Sequence, residues 1–332
     1  MRLQTGVDAG IGAVVHGHAI RHTPVQDRLD AFARGHAAVY HSRGGRRSPA
    51  GRPAWYIVRQ PVMPAHPPQP LSAAPAGAFR GVTTLFTDID DTLTVRGRVT
   101  REAFDALWRA AGAGLRVVPV TGRPAGWCDA IVRQWPVAGV VGENGGLYYR
   151  LTDRGPVRVY AQDPTTRAAN RRRLEAVRDD ILRQVPGCAV AADQPFRELD
   201  LAIDFCEDVP PLPRAAILRI VEIFQAHGAT AKISSIHVNG WFGDFDKLAM
   251  VRRFLRDLDG DAPGAPLDAC AFCGDAPNDE PMFRAFRHGF GVANVSRFLD
   301  LMAHGPAWIA SRDGGAGFAE VVDALLHARR SP

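Results

Sequence analysis

The chain has 332 residues, 46% of them apolar, which is ample for one or two buried cores at roughly 150 residues per domain. Its formal charge of +5 is unevenly spread: residues 1–80 carry ten arginines and three acids, whereas the remainder holds 30 basic and 32 acidic residues. No run of about 18 apolar residues occurs, which excludes a membrane-spanning helix, and Cys128, Cys188, Cys206, Cys270 and Cys273 form no disulfide framework, so a cytoplasmic protein is expected.

Residues 1–80 hold nine prolines, six histidines and the run Arg43-Gly-Gly-Arg-Arg47. That composition buries little and predicts a poorly structured basic extension, dispensable for catalysis, with Met63 as a later possible start. A nucleic-acid-binding arm is the sharper alternative for these arginines. The run is short and has little aromatic interleaving, so no nucleic-acid partner is expected.

Val82 to Thr87 is β-branched and aromatic, the composition of a buried strand, and runs straight into Asp88, Asp90, Asp91, Thr92 and Thr94. Carboxylates this close repel one another unless a hard divalent cation neutralises them or one holds a proton. Both remedies suit chemistry on a phosphate. A calcium loop is excluded by Leu93, which stands where such a loop requires glycine.

Thr100 is expected to cap a helix through Ala111 whose Phe104, Leu107 and Trp108 share a face. Leu115–Thr121 reads as a second strand, with Pro119 an objection to a central position, and Thr121 at its end could bind a phosphate oxygen through its hydroxyl and N–H. A helix over 125–134, a strand Val137–Val141 and the loop Gly142-Glu-Asn144-Gly-Gly146 follow. This β-α-β-α-β series predicts a parallel sheet whose ligands collect beyond the strand carboxyl ends, where Asp88, Thr121 and Asn144 fall.

Between 147 and 241 the rhythm changes to strands at 147–150, 199–205 and 229–238 and helices at 166–184 and 213–227, a smaller α+β insert. If 234–241 is extended, His237 and Asn239 share one face, as substrate contacts or as a polar outer face. A helix over 247–258 begins with Lys247, one of only two lysines. The strand Ala269–Cys273 then runs into Gly274-Asp275-Ala-Pro-Asn278-Asp279, a second acidic cluster at a strand end. Cys270 and Cys273 should point to opposite faces of that strand, which disfavours a zinc or redox reading.

Taken in order, Asp88-x-Asp90-x-Thr92, Thr121, Lys247 and Gly274-Asp275-x-x-Asn278-Asp279 resemble the haloacid dehalogenase superfamily of phosphohydrolases over about residues 81–326. The insert's position, Gly142-Glu-Asn-Gly and Gly291-Val-Ala-Asn294 resemble its Cof-type and sucrose-phosphatase-like class. The resemblance implies a Rossmann-like α/β core (81–146 and 242–332) with an inserted C2-type α+β cap (147–241). It implies Mg2+ held at Asp88, Asp90 and Asp275 with Asn278 and Asp279, Asp88 as nucleophile, Asp90 as acid and base, and Thr121 and Lys247 on the transferring group. Thr92, Asn144, His237 and Asn239 are candidate substrate contacts, and the expected partner is a small phosphorylated metabolite. A phosphomutase of the same superfamily is the alternative. Two departures stand out: Asp91 and Leu248 occupy positions where many relatives have glycine.

Overall fold

The computed structural model describes residues 67–234, 236–259 and 267–330. In chain order the strands begin with β1 (Gln69–Pro70), β2 (Thr84–Thr87), β3 (Thr94–Val95) and β4 (Arg98–Val99). Helix α1 (Arg101–Gly112), β5 (Arg116–Pro119), α2 (Ala125–Gln134), β6 (Val140–Gly142), β7 (Leu147–Thr152) and β8 (Gly155–Tyr160) follow. The insert contributes α3 (Pro164–Gln184), β9 (Ala189–Val190), β10 (Leu201–Asp204), α4 (Arg214–Ala226), β11 (Thr230–Ile233) and β12 (His237–Trp241). The chain ends with α5 (Lys247–Asp259), β13 (Cys270–Gly274), α6 (Glu280–Ala285), β14 (His288–Gly291), β15 (Trp308–Ile309) and α7 (Gly314–Arg330).

Six strands form one sheet in the order β1-β15-β14-β13-β2-β5, and every pairing is parallel. All four residues of β2 and all five of β13 are buried, as both faces of a parallel sheet must be covered. One apolar layer gathers Leu85, Val117, Cys273 and Phe290 with Leu107 of α1, Ile131 of α2 and Leu325 of α7. The opposite layer gathers Phe86, Val118, Cys270 and Phe272 with Phe254 of α5 and Met282 of α6. Cys270 and Cys273 thus lie in different layers, as the strand period requires.

Local sequence explains most element ends. Thr100 caps α1 by accepting from Ala103 N–H, as its sequence suggests. The buried stripe of that helix is Ala103, Ala106, Leu107 and Ala110, whereas Trp108 is 56% exposed and meets Phe104 edge-on, which corrects its expected place on the inner face. Pro119 is tolerated because of its phase. Arg116 and Val120 donate to Thr83 and Thr87 on the β2 side, so the missing donor of Pro119 faces the outer side, where β6 has barely begun.

Three further expectations are corrected. Residues 67–80 are not part of an unstructured extension: β1 pairs with β15, and Leu71 and Phe79 are buried in the first layer, Phe79 against Phe290 and Trp308. Residues 1–66, with Met63 and the arginine run, lie outside the described residues. The hairpin β7–β8, read as the start of the insert, pairs with β6 and sends Leu147 and Tyr149 into one core layer and Tyr148 into the other. The run 229–238 is two strands, because Ser234 Oγ accepts from the N–H groups of Ile236 and His237 and reverses the chain between β11 and β12.

The insert's own sheet is antiparallel in the order β11-β12-β10-β9, with α3 and α4 packed against it. Its Asp204 pairs with His237 and Ala202 with Asn239 across β10 and β12.

Candidate active site

Parallel register delivers the two acidic clusters to neighbouring strand ends. Thr87 pairs with Cys273, and Asp88 N–H donates to the Cys273 carbonyl at 2.9 Å, so Asp88 leaves β2 beside the point where Asp275 leaves β13. Lys247 arrives at the start of α5. Its Nζ lies 2.8 Å from Asp88 Oδ1 and 3.2 Å from Asp279 Oδ1, with all three side chains buried. Two glycines make room. A Cβ at Gly145 would strike the Asp246 carbonyl next to the lysine, and one at Gly274 would strike Asp279 Oδ2.

Asp279 is fully occupied in this arrangement. Oδ1 takes the lysine, and Oδ2 accepts from the N–H groups of Asp275 and Ala276 at 3.1 and 3.4 Å, closing the turn that aims Asp275. Thr92 donates to Asp275 Oδ1 at 3.2 Å, and Asn294 Nδ2 donates to Oδ2 at 3.1 Å. Thr92 is fully buried, and its hydroxyl is engaged in orienting Asp275. Asn294 also holds the Asp91 carbonyl and accepts from Gly314 N–H, a positioning role the sequence reading did not assign.

Thr121 also departs from expectation. Its N–H donates to Val141 O and its Oγ1 accepts from Arg123 N–H, so the N–H expected on a phosphate oxygen is spent on β6. Asp91 adopts φ +56°, the left-handed region in which Asp is tolerated and glycine is at ease. Burial, then the charge of Asp90, pushes its carboxyl up to about 6.

The cleft beyond these strand ends is narrow, with a cavity volume of about 30 Å³. Asp88, Asp90, Asp275 and Asn278 form its floor, and Arg197, His237 and Asn239 of the insert form its roof, with Gly122, Arg123 and Asn144 between them. His237 and Asn239 are buried facing this cleft, so the alternative of a polar outer face falls away. Asn239 and Asn144 donate to Asp200 Oδ2 at 3.0 and 3.4 Å, and Arg197 bridges Asp200 and Asp193. Arg123, Arg197, Asp200 and Glu207 carry no sequence signal in a chain so rich in arginine. Their only cue was Arg123 two residues beyond Thr121.

Electrostatics at the floor are dominated by desolvation. Burial, partly offset by Lys247, pushes Asp88 up to about 7, with Asp279 and Asp90 adding to the rise. Burial likewise holds Asp275 well above the ordinary carboxylate range, reinforced by Asp279 and Asp88. Burial acts to lower Lys247, but Asp279 and Asp88 outweigh it and the ammonium is held above its usual value. Asp88, Asp275 and Asp279 thus share the single ammonium of Lys247. Among the described residues no three His, Cys, Asp or Glu side chains converge as a ready cation cage. Two hard carboxylates with room for substrate oxygens suit Mg2+, which is commonly held by one or two carboxylates plus a phosphate.

No protein-family model matches the chain. A phosphoglycolate phosphatase from Methanoculleus marisnigri is 26% identical over 246 residues, 72% of this chain and 94% of that relative. A haloacid dehalogenase-like hydrolase from Bacteroides thetaiotaomicron superposes with a TM-score of 0.55 at 13% identity, covering 74% of this chain and 99% of that one. The chain therefore has the fold of the haloacid dehalogenase-like hydrolases. A sucrose-phosphatase from Synechocystis sp. PCC6803, solved with sucrose and phosphate, superposes with a TM-score of 0.54 at 14% identity, over 74% of this chain and 98% of that one. The cleft thus lies between the six-stranded sheet and the insert. Among the described residues no helix is long and apolar enough to cross a membrane.

Proposed function

We propose that the protein is a Mg2+-dependent phosphomonoester hydrolase that works through an aspartyl-phosphate on Asp88, with a small phosphorylated metabolite, most simply a sugar phosphate, as substrate. The single observation that carries this reading is the Lys247 ammonium bridging Asp88 and Asp279 on the floor of a cleft that also holds Asp90 and Asp275. A solvated acidic turn would not bury a lysine between two carboxylates from distant parts of the chain.

In the first step an Asp88 oxygen attacks phosphorus and the ester oxygen departs, taking a proton from Asp90. In the second, Asp90 takes a proton from water, whose oxygen attacks the phosphorus and frees Asp88 and inorganic phosphate. Lys247 restrains Asp88 and offers charge to the transferring group. Asp88, the Asp90 backbone and Asp275, with Asn278 nearby, would hold the magnesium, which supplies the charge that lets one anion approach another. Asp279, its oxygens committed to Lys247 and the turn, is assigned the task of aiming Asp275. The cap covers the cleft, excluding water that would compete during transfer.

The core spans 81–160 and 242–332 in this reading, extended by residues 67–80, and the cap supplies substrate contacts through His237 and Asn239, with Asn144 from the core. The relatives' names favour small phosphate esters of two kinds, one carboxylated and one a sugar. Phosphate release should be assayed over sugar phosphates, phosphoglycolate and nucleotides with and without Mg2+, beside Asp88→Asn. We expect Mg2+-dependent release of free phosphate that Asp88→Asn abolishes. Turnover surviving Asp88→Asn, or isomeric phosphate esters with no free phosphate, sinks the proposal.

A further inference from the structure

Arg123 sits within the cleft, yet no step above employs it. Its side chain is buried. Nε and Nη2 grip Asp90 at two points, 3.0 Å to Oδ2 and 2.9 Å to Oδ1, and Nη1 and Nη2 both reach Glu207 Oε1 at 3.3 Å. The Trp127 ring lies 4.5 Å from the guanidinium, and Asp193 Oδ2 stands 3.7 Å from Nη1. A planar fork held this way has few orientations left.

Glu207 belongs to the cap, and its loop is built to present it. Asp204, at the end of β10, accepts from Cys206 and Glu207 N–H on Oδ1 and from Asp208 N–H on Oδ2, each at 2.8 Å. Three donors on one buried carboxylate fix the backbone of that loop. The pairing of Asp204 with His237 then brings an imidazole to the far side of Glu207, with Nε2 2.9 Å from Oε2 but off the hydrogen-bond axis. Glu207 therefore stands between a core arginine and a cap histidine, both in the wall of the cleft. The contact with His237, opposed by burial and helped by Arg123, holds its carboxyl down at about 2.

We propose that Arg123 is a positioning residue that couples cap closure to the acid–base carboxylate: when the cap seats, Glu207 locks the guanidinium, and the guanidinium locks the orientation of Asp90. The inference rests on Asp90 acting as acid and base, as argued above. Its content is that a cap loop with no atom on the reacting phosphoryl group governs that step.

The test uses the full chain with Arg123→Gln, Arg123→Lys, Glu207→Ala and the double variant Arg123→Gln/Glu207→Ala. Steady-state phosphate release is measured on the best substrate of the screen, and hydrogen exchange of the 206–208 amides is followed without substrate. Arg123→Gln should lower kcat about 100-fold, the scale of general acid–base catalysis. Glu207→Ala should lower kcat roughly tenfold, a part of the Arg123→Gln loss, because the guanidinium keeps Asp90 but loses its cap anchor, and Arg123→Lys should leave kcat low, because an ammonium cannot make both grips at once. The double variant should match Arg123→Gln alone, since both changes act through one contact. Exchange at 206–208 should rise in Arg123→Gln even if no substrate is turned over. Multiplying effects in the double variant, an unchanged kcat in Arg123→Gln, or unchanged exchange each overturns the coupling. A wild-type protein inert toward every ester counts against the phosphatase reading itself, and the exchange result still decides whether Arg123 holds the cap loop.

Discussion

Lys247 is the residue on which the floor of the site depends. Burying an ammonium costs free energy that only its two carboxylate partners offset, and burying those carboxylates costs more still without it. An exposed ion pair would be worth less than about 1 kcal/mol, whereas breaking a buried one leaves uncompensated charge. We expect Lys247→Ala to destabilise the metal-free protein by roughly 3–5 kcal/mol, read by urea unfolding. The loss should shrink near pH 5. There Asp88, already lifted to about 7 by burial, takes a proton and no longer repels Asp279. An unchanged unfolding midpoint in Lys247→Ala would show that the pair is not formed in solution.

At the scale of elements, the loop between β6 and β7 holds the core against the cap. Glu143 is completely buried at φ +44°, and its two oxygens accept four backbone N–H groups, from Ala125 at the start of α2 and from Glu198, Leu199 and Asp200 in the cap. Burial and the neighbouring Asp200 push its carboxyl up to about 7, against the pull of those amides and Arg197. The sign of its pH effect follows directly. With a folded value above the unfolded value of about 4.5, the folded state holds more protons across that interval, and this group's contribution weakens as pH rises from about 4.5 to 7. The span corresponds to about 3 kcal/mol. Thermal melts of Glu143→Gln in Mg2+ should be lower than wild type, because an amide NH2 would oppose backbone donors, and should slope less with pH between 5 and 7.

In the sequence this loop was legible through Asn144, a candidate substrate contact, and as the pattern Gly142-Glu-Asn-Gly, whereas Glu143 had no stated job. Asp88, Lys247 and Asp275 were legible because each ends or follows a strand or loop whose pattern fixes its position. Glu207 and Arg197 were not, because their partners lie 84 and 75 residues away, Arg123 in one case and the Gly122 carbonyl in the other. The strand read over Leu115–Thr121 is β5 over Arg116–Pro119, and the use of Thr121 N–H was missed, since only tertiary packing reveals that Val141 claims it. Ser234 was the sign of a reversal that a β-rich run obscured.

For the whole molecule, the floor of the cleft gathers Asp88, Asp90, Asp275 and Asp279 against Lys247 and the adjoining Arg123, four acids to two bases, beneath the insert. Such an excess weakens the metal-free fold, and a cation that binds only the folded chain should restore it. At a free Mg2+ concentration about 100 times its dissociation constant, the gain is about 2.7 kcal/mol. For a chain of this size that raises Tm by roughly 5–10 °C. Asp275→Asn separates this account from general salt effects. Its amide can still accept from Asn294 and donate to Thr92 Oγ1, so both neighbours keep a partner. With one repelling charge removed, the variant should melt at or above the wild type in chelator, and it should lose the Mg2+-dependent rise. Equal Mg2+ shifts in wild type and Asp275→Asn would place the cation elsewhere on the molecule, whereas a lower melting point in chelator would mean that the buried Asp275 charge supports the fold and does not strain it.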